Sequence, residues 1–231
     1  MTDDRDQLKR AAAAAAVTYL RSGMVIGLGA GTTARFALDL IAERIAGGSL
    51  TGVRGVPCSS QVAADAARLG IPLTTLEEHP VLDLTIDGAD EISPSLDLIK
   101  GGGGALLHEK IVAQASRREI IIADDSKLSP ALGTHRSLPV EVLPFGWRAQ
   151  RDYLASLGAR VTLRADDAGT PFASDEGNRI LDCDFGPIAD PRALAADLDG
   201  RAGIVEHGLF LGLASEALVA GHGGLRRLTR T

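Results

Sequence analysis

Short apolar runs alternate with helical segments from Asp3 to Ala123, and this alternation limits the possible folds more than any other feature. Parallel strands need a crossover of a dozen or more residues, whereas antiparallel strands can be joined by a tight turn. The spacing therefore predicts βαβ units and a mostly parallel sheet with helices on both faces. The predicted strands are Met24–Leu28, Val53–Cys58, Ile71–Thr75, Val81–Ile86 and Glu119–Ala123, and the predicted helices are Asp3–Arg21, Thr32–Ala46, Gln61–Leu69 and Leu106–Ser116.

The pattern changes after about Gly133, where the predicted elements follow a β-α-β-β-α-β order. That order resembles a ferredoxin-like α+β unit. We therefore predict an α/β fold with a Rossmann-like domain (residues 1–134 together with 209–231) and a smaller inserted domain (residues 135–208). The strands predicted here are Leu138–Leu143, Arg160–Leu163, Arg179–Asp182, Gly203–His207, Ala217–Ala220 and Leu225–Leu228, and the helices are Arg148–Leu157 and Pro191–Leu198.

Charge and composition exclude several classes of partner. The net charge of −6 and the sequence pI of about 5.4 argue against nucleic acid or an anionic membrane as the main partner. No apolar run approaches the length of a membrane span. The two cysteines, Cys58 and Cys183, have no metal-ligand spacing, which favours free thiols in a reducing cytoplasm. A small phosphorylated ligand remains compatible, because it needs only local N–H groups and one or two lysines.

Carboxylates and lysines are concentrated between Asp87 and Lys110. Asp87, Asp90 and Glu91 follow a predicted buried strand, Lys100 precedes four glycines, and Glu109 and Lys110 lie on the next predicted helix. Polar groups at the carboxyl end of a parallel strand lie where α/β proteins bind small ligands. Acids and a cation at this position suit proton transfer on a polar, anionic molecule. A divalent metal is the rival use of these carboxylates.

A second glycine-rich turn, Gly27–Ala34, joins the first predicted strand to a helix. Glycines let a ligand approach the backbone, and a helix N-terminus presents N–H groups to an anion. From Gly29 the spacing fits the dinucleotide pattern G-x-G-x-x-A, which is weak evidence alone. The second strand ends in Cys58, Ser59 and Ser60, where a nicotinamide site expects an acidic residue. The turn therefore favours hydroxyl or phosphate contacts, and Lys100–Gly104 lacks the trailing Lys-Ser/Thr of a Walker A sequence.

Taken together and in order, these motifs resemble ribose-5-phosphate isomerase of the A type, and the resemblance covers nearly the whole chain. The chain departs from many members at Ala30, where they have Thr, and at Leu107-His108, where they have Thr-Arg. The segments that carry the resemblance are Gly27–Ala34, Asp87–Ile92, Ile99–Gly103, Glu109–Ile111, Ile122–Lys127, Leu138–Val142 and Glu206–Phe210.

The resemblance implies an aldose–ketose isomerase that interconverts ribose 5-phosphate and ribulose 5-phosphate without metal or cofactor. It implies that Glu109 is the base between C1 and C2, and that Asp87 handles hydroxyl proton transfer. Asp90 would orient sugar hydroxyls, and Lys100 would stabilise the charged oxygen. A cytoplasmic homodimer is expected, with a tetramer as the alternative. The residues expected to contact the sugar phosphate are Lys9, Gly29, Ala30, Gly31, Thr32, Thr33, Ser59, Gly88, Ala89, Gly101, Gly102, Gly103 and Lys127.

Two other functions remain open at the level of sequence. A sugar-phosphate sensor on a similar fold would bind without chemistry. Regulators of that kind need a DNA-binding helix-turn-helix, and the acidic balance opposes DNA binding. A transferase acting on a coenzyme A thioester would need a carboxylate that forms a covalent intermediate, which hydroxylamine would trap.

Overall fold

The computed structural model describes residues 2–230, with side chains from Asp4 onward. The helices are α1 (Thr2–Val17), α2 (Gly31–Ala46), α3 (Ser60–Arg68), α4 (Leu106–Ala115), α5 (Trp147–Ser156) and α6 (Pro191–Asp199), with a 3-10 turn at Asp125–Lys127. The strands are β1 (Val25–Leu28), β2 (Arg54–Pro57), β3 (Leu84–Asp87), β4 (Glu91–Ile92), β5 (Leu98–Ile99), β6 (Glu119–Asp124), β7 (Leu138–Val142), β8 (Arg160–Leu163), β9 (Arg179–Asp184), β10 (Ile204–His207), β11 (Leu209–Phe210), β12 (Glu216–Gly221) and β13 (Gly224–Thr229).

Contacts within the chain divide it into two compact units. The first contains the chain up to Ala89, His108–Lys127 and the chain from Gly212 onward, and the second contains Asp90–Leu107 and Leu128–Leu211. In the part of the chain that the structure describes, no helix combines the length and the apolarity that crossing a bilayer requires.

The first unit is built on a six-stranded sheet with the order β13-β12-β6-β3-β1-β2. The pairs from β12 to β2 are parallel, and the hairpin strand β13 pairs with β12 antiparallel. All residues of β3 and β6 are buried, as expected of central strands in a parallel sheet covered on both faces. The predicted mostly parallel α/β fold is therefore confirmed.

Small aliphatic side chains form the core of the first unit. Its fully buried cluster consists of alanine, valine, leucine and isoleucine together with Cys58. Three alanines of α1, Ala12, Ala13 and Ala16, have no exposed surface. Because alanine has the highest helix propensity and a short side chain, the alanine run can form a helix and pack closely. The helix ends at Val17, four residues before the predicted end at Arg21.

One predicted strand of the first unit is reduced to a single contact. Within Ile71–Thr75, only Leu73 forms a bridge, parallel to Gly55 of β2. The proline at position 72 has no N–H to donate to a neighbouring strand, although its carbonyl accepts a hydrogen bond from the Gly55 N–H at 2.8 Å. The apolar run was therefore a wrong sign of a strand, and its burial is partial, since Ile71 is 3% exposed but Leu73 is 39% exposed.

The second unit contains two antiparallel sheets. One has the order β10-β7-β9-β8, which together with α5 and α6 gives the predicted β-α-β-β-α-β arrangement. The other is the three-stranded sheet β11-β5-β4. In this sheet β5 pairs with both β4 and β11, and residues 90–107 belong to the second unit, as do residues 128–134 and 209–211. The sequence-based boundary had placed all three segments in the first domain.

Candidate active site

The glycine turn after β1 fixes the carboxylate at the end of β3. The N–H of Gly29 donates to the Ile86 carbonyl at 3.0 Å, which extends the parallel pairing of β1 and β3 by one residue. The Asp87 Oδ1 atom then accepts from the Ala30 N–H at 3.0 Å and from the Gly88 N–H at 2.7 Å. Two backbone donors thus hold one oxygen of Asp87, a side chain that is only 1% exposed.

Gly29 is required by this arrangement for a simple steric reason. A Cβ atom at this position would lie 2.3 Å from Asp87 Oδ1 and 2.5 Å from Asp87 Cα. The absence of a side chain therefore lets the turn approach β3 closely enough for the Ala30 N–H to reach the carboxylate. Gly31 has a φ of +91° at the start of α2, which favours glycine there as well.

Glu109 reaches the same place from α4. One carboxylate oxygen of Glu109, one of Asp87 and the Sγ atom of Cys58 lie within 4.8 Å of one another. All three side chains are buried, with Glu109 5% exposed and Cys58 fully covered. The sequence grouped Asp87 with Glu109, but no sequence spacing indicates that Cys58, the residue after β2, lies beside them. Cys58, to which the sequence analysis assigned no role in the site, is therefore a neighbour of both carboxylates.

The remaining predicted residues of the first unit follow the topology of the sheet. Because β1, β2, β3 and β6 are parallel, their carboxyl ends lie at one edge. The 3-10 turn that carries Lys127 directly follows β6, and Ser59 follows β2 by two residues. Thr32 and Thr33 are in the first turn of α2, where Thr32 is exposed and Thr33 is buried.

Two residues predicted to contact a ligand have other partners in the structure. Ser59 is the N-cap of α3, and its Oγ atom accepts from the Val62 N–H at 3.1 Å. Lys9 lies on α1 and forms an ion pair with Asp6 of the same helix at 3.2 Å. Charged residues three apart on a helix commonly pair, so the predicted helix Asp3–Arg21 already allowed this contact between Asp6 and Lys9.

In the second unit, Asp90 and Glu91 of the acidic cluster accept hydrogen bonds from different segments of the chain. Asp90 precedes β4, and its Oδ2 atom accepts from the Gly102 N–H at 2.7 Å. Glu91 lies on β4 with no exposed surface, and its two oxygens accept from the N–H groups of Gly133 (2.7 Å) and His135 (2.9 Å). Backbone donors therefore compensate both charges, and Glu91 anchors the segment before β7.

Lys100–Gly104, hereafter the glycine loop, leads from β5 to α4. Lys100 is 2% exposed, its N–H donates to the Gly208 carbonyl at 3.0 Å, and its Nζ atom lies 5.4 Å from the ring centre of Phe210. Burial in low-dielectric surroundings strengthens the field of this ammonium group. Gly101 and Gly104 have φ values of +95° and +89°, which explains two of the four glycines.

Arg164, which lies just after β8, contacts the glycine loop and was missed by the sequence analysis. Its Nη1 atom donates to the carbonyls of Gly101 at 2.9 Å and Gly102 at 3.1 Å. The two contacts join positions more than 60 residues apart, and the sequence around Arg164 carries no motif that would indicate them.

Comparison with known proteins gives a consistent family. The sequence-family model for ribose 5-phosphate isomerase A (phosphoriboisomerase A) matches residues 54–224 of this chain. A ribose-5-phosphate isomerase A from Chloroflexus aurantiacus is 59% identical, over 99% of this chain and 95% of the relative. One from Desulfatibacillum aliphaticivorans is 53% identical over 97% of each chain.

Two solved structures agree with this result. A D-ribose-5-phosphate isomerase in complex with phospho-erythronic acid superimposes with a TM-score of 0.95 at 34% identity, covering 98% of this chain and 99% of the other. The ribose 5-phosphate isomerase from Plasmodium falciparum gives a TM-score of 0.94 at 39% identity, with the same coverage. The chain therefore belongs to the ribose-5-phosphate isomerase A family of aldose–ketose isomerases.

Proposed function

We propose that this chain interconverts D-ribose 5-phosphate and D-ribulose 5-phosphate through an enediolate, with Glu109 as the base. The observation that supports this role is the burial of the Glu109 and Asp87 carboxylates within 4.8 Å of each other at the carboxyl ends of parallel strands. A single carboxylate can remove the proton from C2 and return it to C1 on the same face of the sugar. Asp87, whose orientation two backbone N–H groups fix, transfers the hydroxyl proton.

Lys100 is proposed to stabilise the negative charge that develops on the substrate oxygen. A C–H group beside a carbonyl is too weakly acidic for a carboxylate unless a preorganised donor stabilises the oxyanion. A buried ammonium group provides such a donor without metal or cofactor, and Lys100 is 2% exposed. Asp90 is proposed to orient the sugar hydroxyls.

The phosphate group is proposed to bind at the start of α2 and at Lys127. Backbone N–H groups at a helix N-terminus favour an anion, and the residues involved would be Gly29–Thr33. Gly88, Ala89 and Gly101–Gly103 would contact the sugar through their backbone. Lys9 and Ser59 are also proposed to contact the substrate. To do so, the substrate would have to compete with Asp6 for Lys9 and with the α3 N-terminus for Ser59. We also propose a homodimer that works in the cytoplasm.

The proposed chemistry can be tested by running the reaction in D2O. Ribose 5-phosphate is added to the purified, chelator-treated protein, and the ribulose 5-phosphate that forms is analysed by NMR. An enediolate formed by a carboxylate base exchanges its proton with solvent, so we expect deuterium at C1 of the product. A product without deuterium, together with wild-type turnover in Glu109→Gln, would indicate direct hydride transfer from C2 to C1 and would contradict the proposal.

A further inference from the structure

The glycine loop needs an external support if it is to present Lys100 precisely. Four successive glycines have more conformational freedom than any other sequence of that length. Within the loop, the Gly104 N–H donates to the Gly101 carbonyl at 3.0 Å, which closes one turn. A catalytic group must be held to within about 0.5 Å by its surroundings, and one internal hydrogen bond does not provide that.

Arg164 provides this support from β8. Its Nη1 atom donates to the carbonyls of both Gly101 and Gly102. On the other side of Gly102, the N–H donates to Asp90. Gly102 is therefore held at its N–H by a carboxylate and at its carbonyl by a guanidinium group. A Cβ atom at position 102 would lie 2.8 Å from Asp90 Oδ1, so any larger residue there would force the Asp90 carboxylate to shift.

Arg164 is itself fixed by two neighbours in the second unit. Its Nε and Nη2 atoms donate to the two carboxylate oxygens of Asp182 on β9, at 2.9 and 2.5 Å. Its guanidinium carbon lies 5.9 Å from the ring centre of Phe172, and that ring also packs where a Gly104 side chain would be. The Arg164 side chain is 15% exposed. A guanidinium fork can bind a carboxylate with one edge and carbonyls with another, which the ammonium group of lysine cannot do.

We propose that Arg164 is a positioning residue for the isomerisation, which acts by holding the glycine loop so that Lys100 meets the developing oxyanion. This inference rests on the proposed role of Lys100. The residue does not itself touch the substrate. Asp182 completes the device, because it orients the guanidinium group toward the loop carbonyls.

The test is a double-mutant cycle of Arg164→Ala and Lys100→Ala, with kcat and KM measured for ribose 5-phosphate. Misplacing a catalytic group by about 1 Å can cost about 100-fold in rate, so we expect Arg164→Ala to lower kcat about 10- to 100-fold with a smaller change in KM. In the Lys100→Ala background the same substitution should lower kcat less than about threefold, because the group that it positions is gone. Addition of millimolar guanidinium ion should restore part of the kcat of Arg164→Ala but not of Lys100→Ala.

A matched control lies on the same two strands. Arg160 of β8 pairs with Asp184 of β9 at 2.6 Å, and the Arg160 side chain is 84% exposed. Arg160→Ala should leave kcat unchanged. The inference is wrong if folded Arg164→Ala, or Arg164→Lys should the alanine variant not fold, keeps wild-type kcat, or if its kcat loss is equally large without Lys100. If Lys100→Ala alone keeps wild-type kcat, the proposed role of Lys100 is wrong, and the inference is wrong with it.

Discussion

At the candidate site, the close approach of two backbone segments decides which residue type a position can hold. Gly29 lets β1 and the following turn lie against Asp87, whose carboxylate then receives two backbone hydrogen bonds. The sequence predicted that the glycines of this turn let a ligand approach the backbone. It could not predict that Asp87 occupies the space, since the two residues are 58 positions apart and meet only when β1 pairs with β3.

Substitution of Gly29 by alanine should therefore remove activity. The new methyl group would overlap the Asp87 carboxylate, so either the carboxylate or the turn must move. We expect kcat/KM for ribose 5-phosphate to fall at least about 100-fold, as expected when a catalytic group is displaced by about 1 Å.

The control for Gly29→Ala is Gly223→Ala, in the turn between β12 and β13. A Cβ atom there meets nothing within 4 Å, and the φ of Gly223 lies outside the left-handed region. This variant should keep wild-type kcat/KM. If Gly29→Ala were equally active, Asp87 would not need its observed position.

At the scale of elements, the carboxylates show what local sequence can and cannot reveal. Asp87, Asp90 and Glu91 were grouped because they are close in sequence, and backbone hydrogen bonds compensate the charge of each. However, Glu91 binds the N–H groups of Gly133 and His135, more than 40 residues away. That pairing depends on how β4 packs in the second unit, so periodicity could not separate a structural glutamate from the aspartates beside it.

Helix α3 offers an element-scale test of the serine that was predicted to contact the substrate. Ser59 caps α3 through its Oγ atom, so Ser59→Ala should lower the free energy of unfolding by about 1 kcal/mol. Ser59→Asn should retain most of that stability, because asparagine is an equally good N-cap. Urea denaturation measures both variants. Unchanged stability with a raised KM in Ser59→Ala would show that substrate contact, and not capping, is the main role.

The amino end of β12 carries a buried carboxylate with a pH-dependent contribution to stability. Glu216 is 1% exposed and accepts hydrogen bonds from Tyr19, Arg118 and Arg227. Burial raises the pKa of Glu216, but the hydrogen bonds from Arg227, Tyr19 and Arg118 outweigh it and hold the pKa below the ordinary value of 4.5. The unfolded chain therefore binds this proton at a higher pH than the folded chain does, so the ionised group stabilises the fold.

We accordingly expect Glu216→Gln to lower the free energy of unfolding at pH 7 by about 1.5–3 kcal/mol, the range for hydrogen bonds to a charged group. The difference from wild type should persist above pH about 4.5 and shrink as the pH falls through the lower pKa of the folded state. Urea unfolding at a series of pH values measures it. A difference that is constant down to pH 2, or that grows on acidification, would contradict this assignment.

At the scale of the whole molecule, the parallel sheet and the antiparallel sheet β10-β7-β9-β8 were both predictable, because each follows from element order. The boundary between the units was not. Strands β4 and β5 have two residues each, too short to show a period, and the pairing of β5 with β11 joins residues more than 100 positions apart. A strand of two residues can be identified only from the strands with which it pairs in the folded chain.

The proposed mechanism places no metal ion among the buried groups, although Cys58, Asp87 and Glu109 are all of types that bind metals. The charge on the substrate oxygen is assigned instead to Lys100. Prolonged treatment with EDTA should therefore leave kcat unchanged, as measured by ketose formation. Loss of activity that Zn²⁺ or Mg²⁺ restores would show that a metal ion takes the place assigned to Lys100.

The most direct test of the central claim is the turnover of Glu109→Gln. Glutamine has nearly the same size and can keep hydrogen bonds, but it cannot accept the C2 proton. We expect kcat to fall by about 10²–10⁴-fold or more, while binding of ribose 5-phosphate, measured by calorimetry, is retained. Glu141→Gln, at a buried glutamate that accepts from Ser174 and Asn178, is the control and should keep kcat. Near-normal turnover in Glu109→Gln would show that Glu109 is not the base.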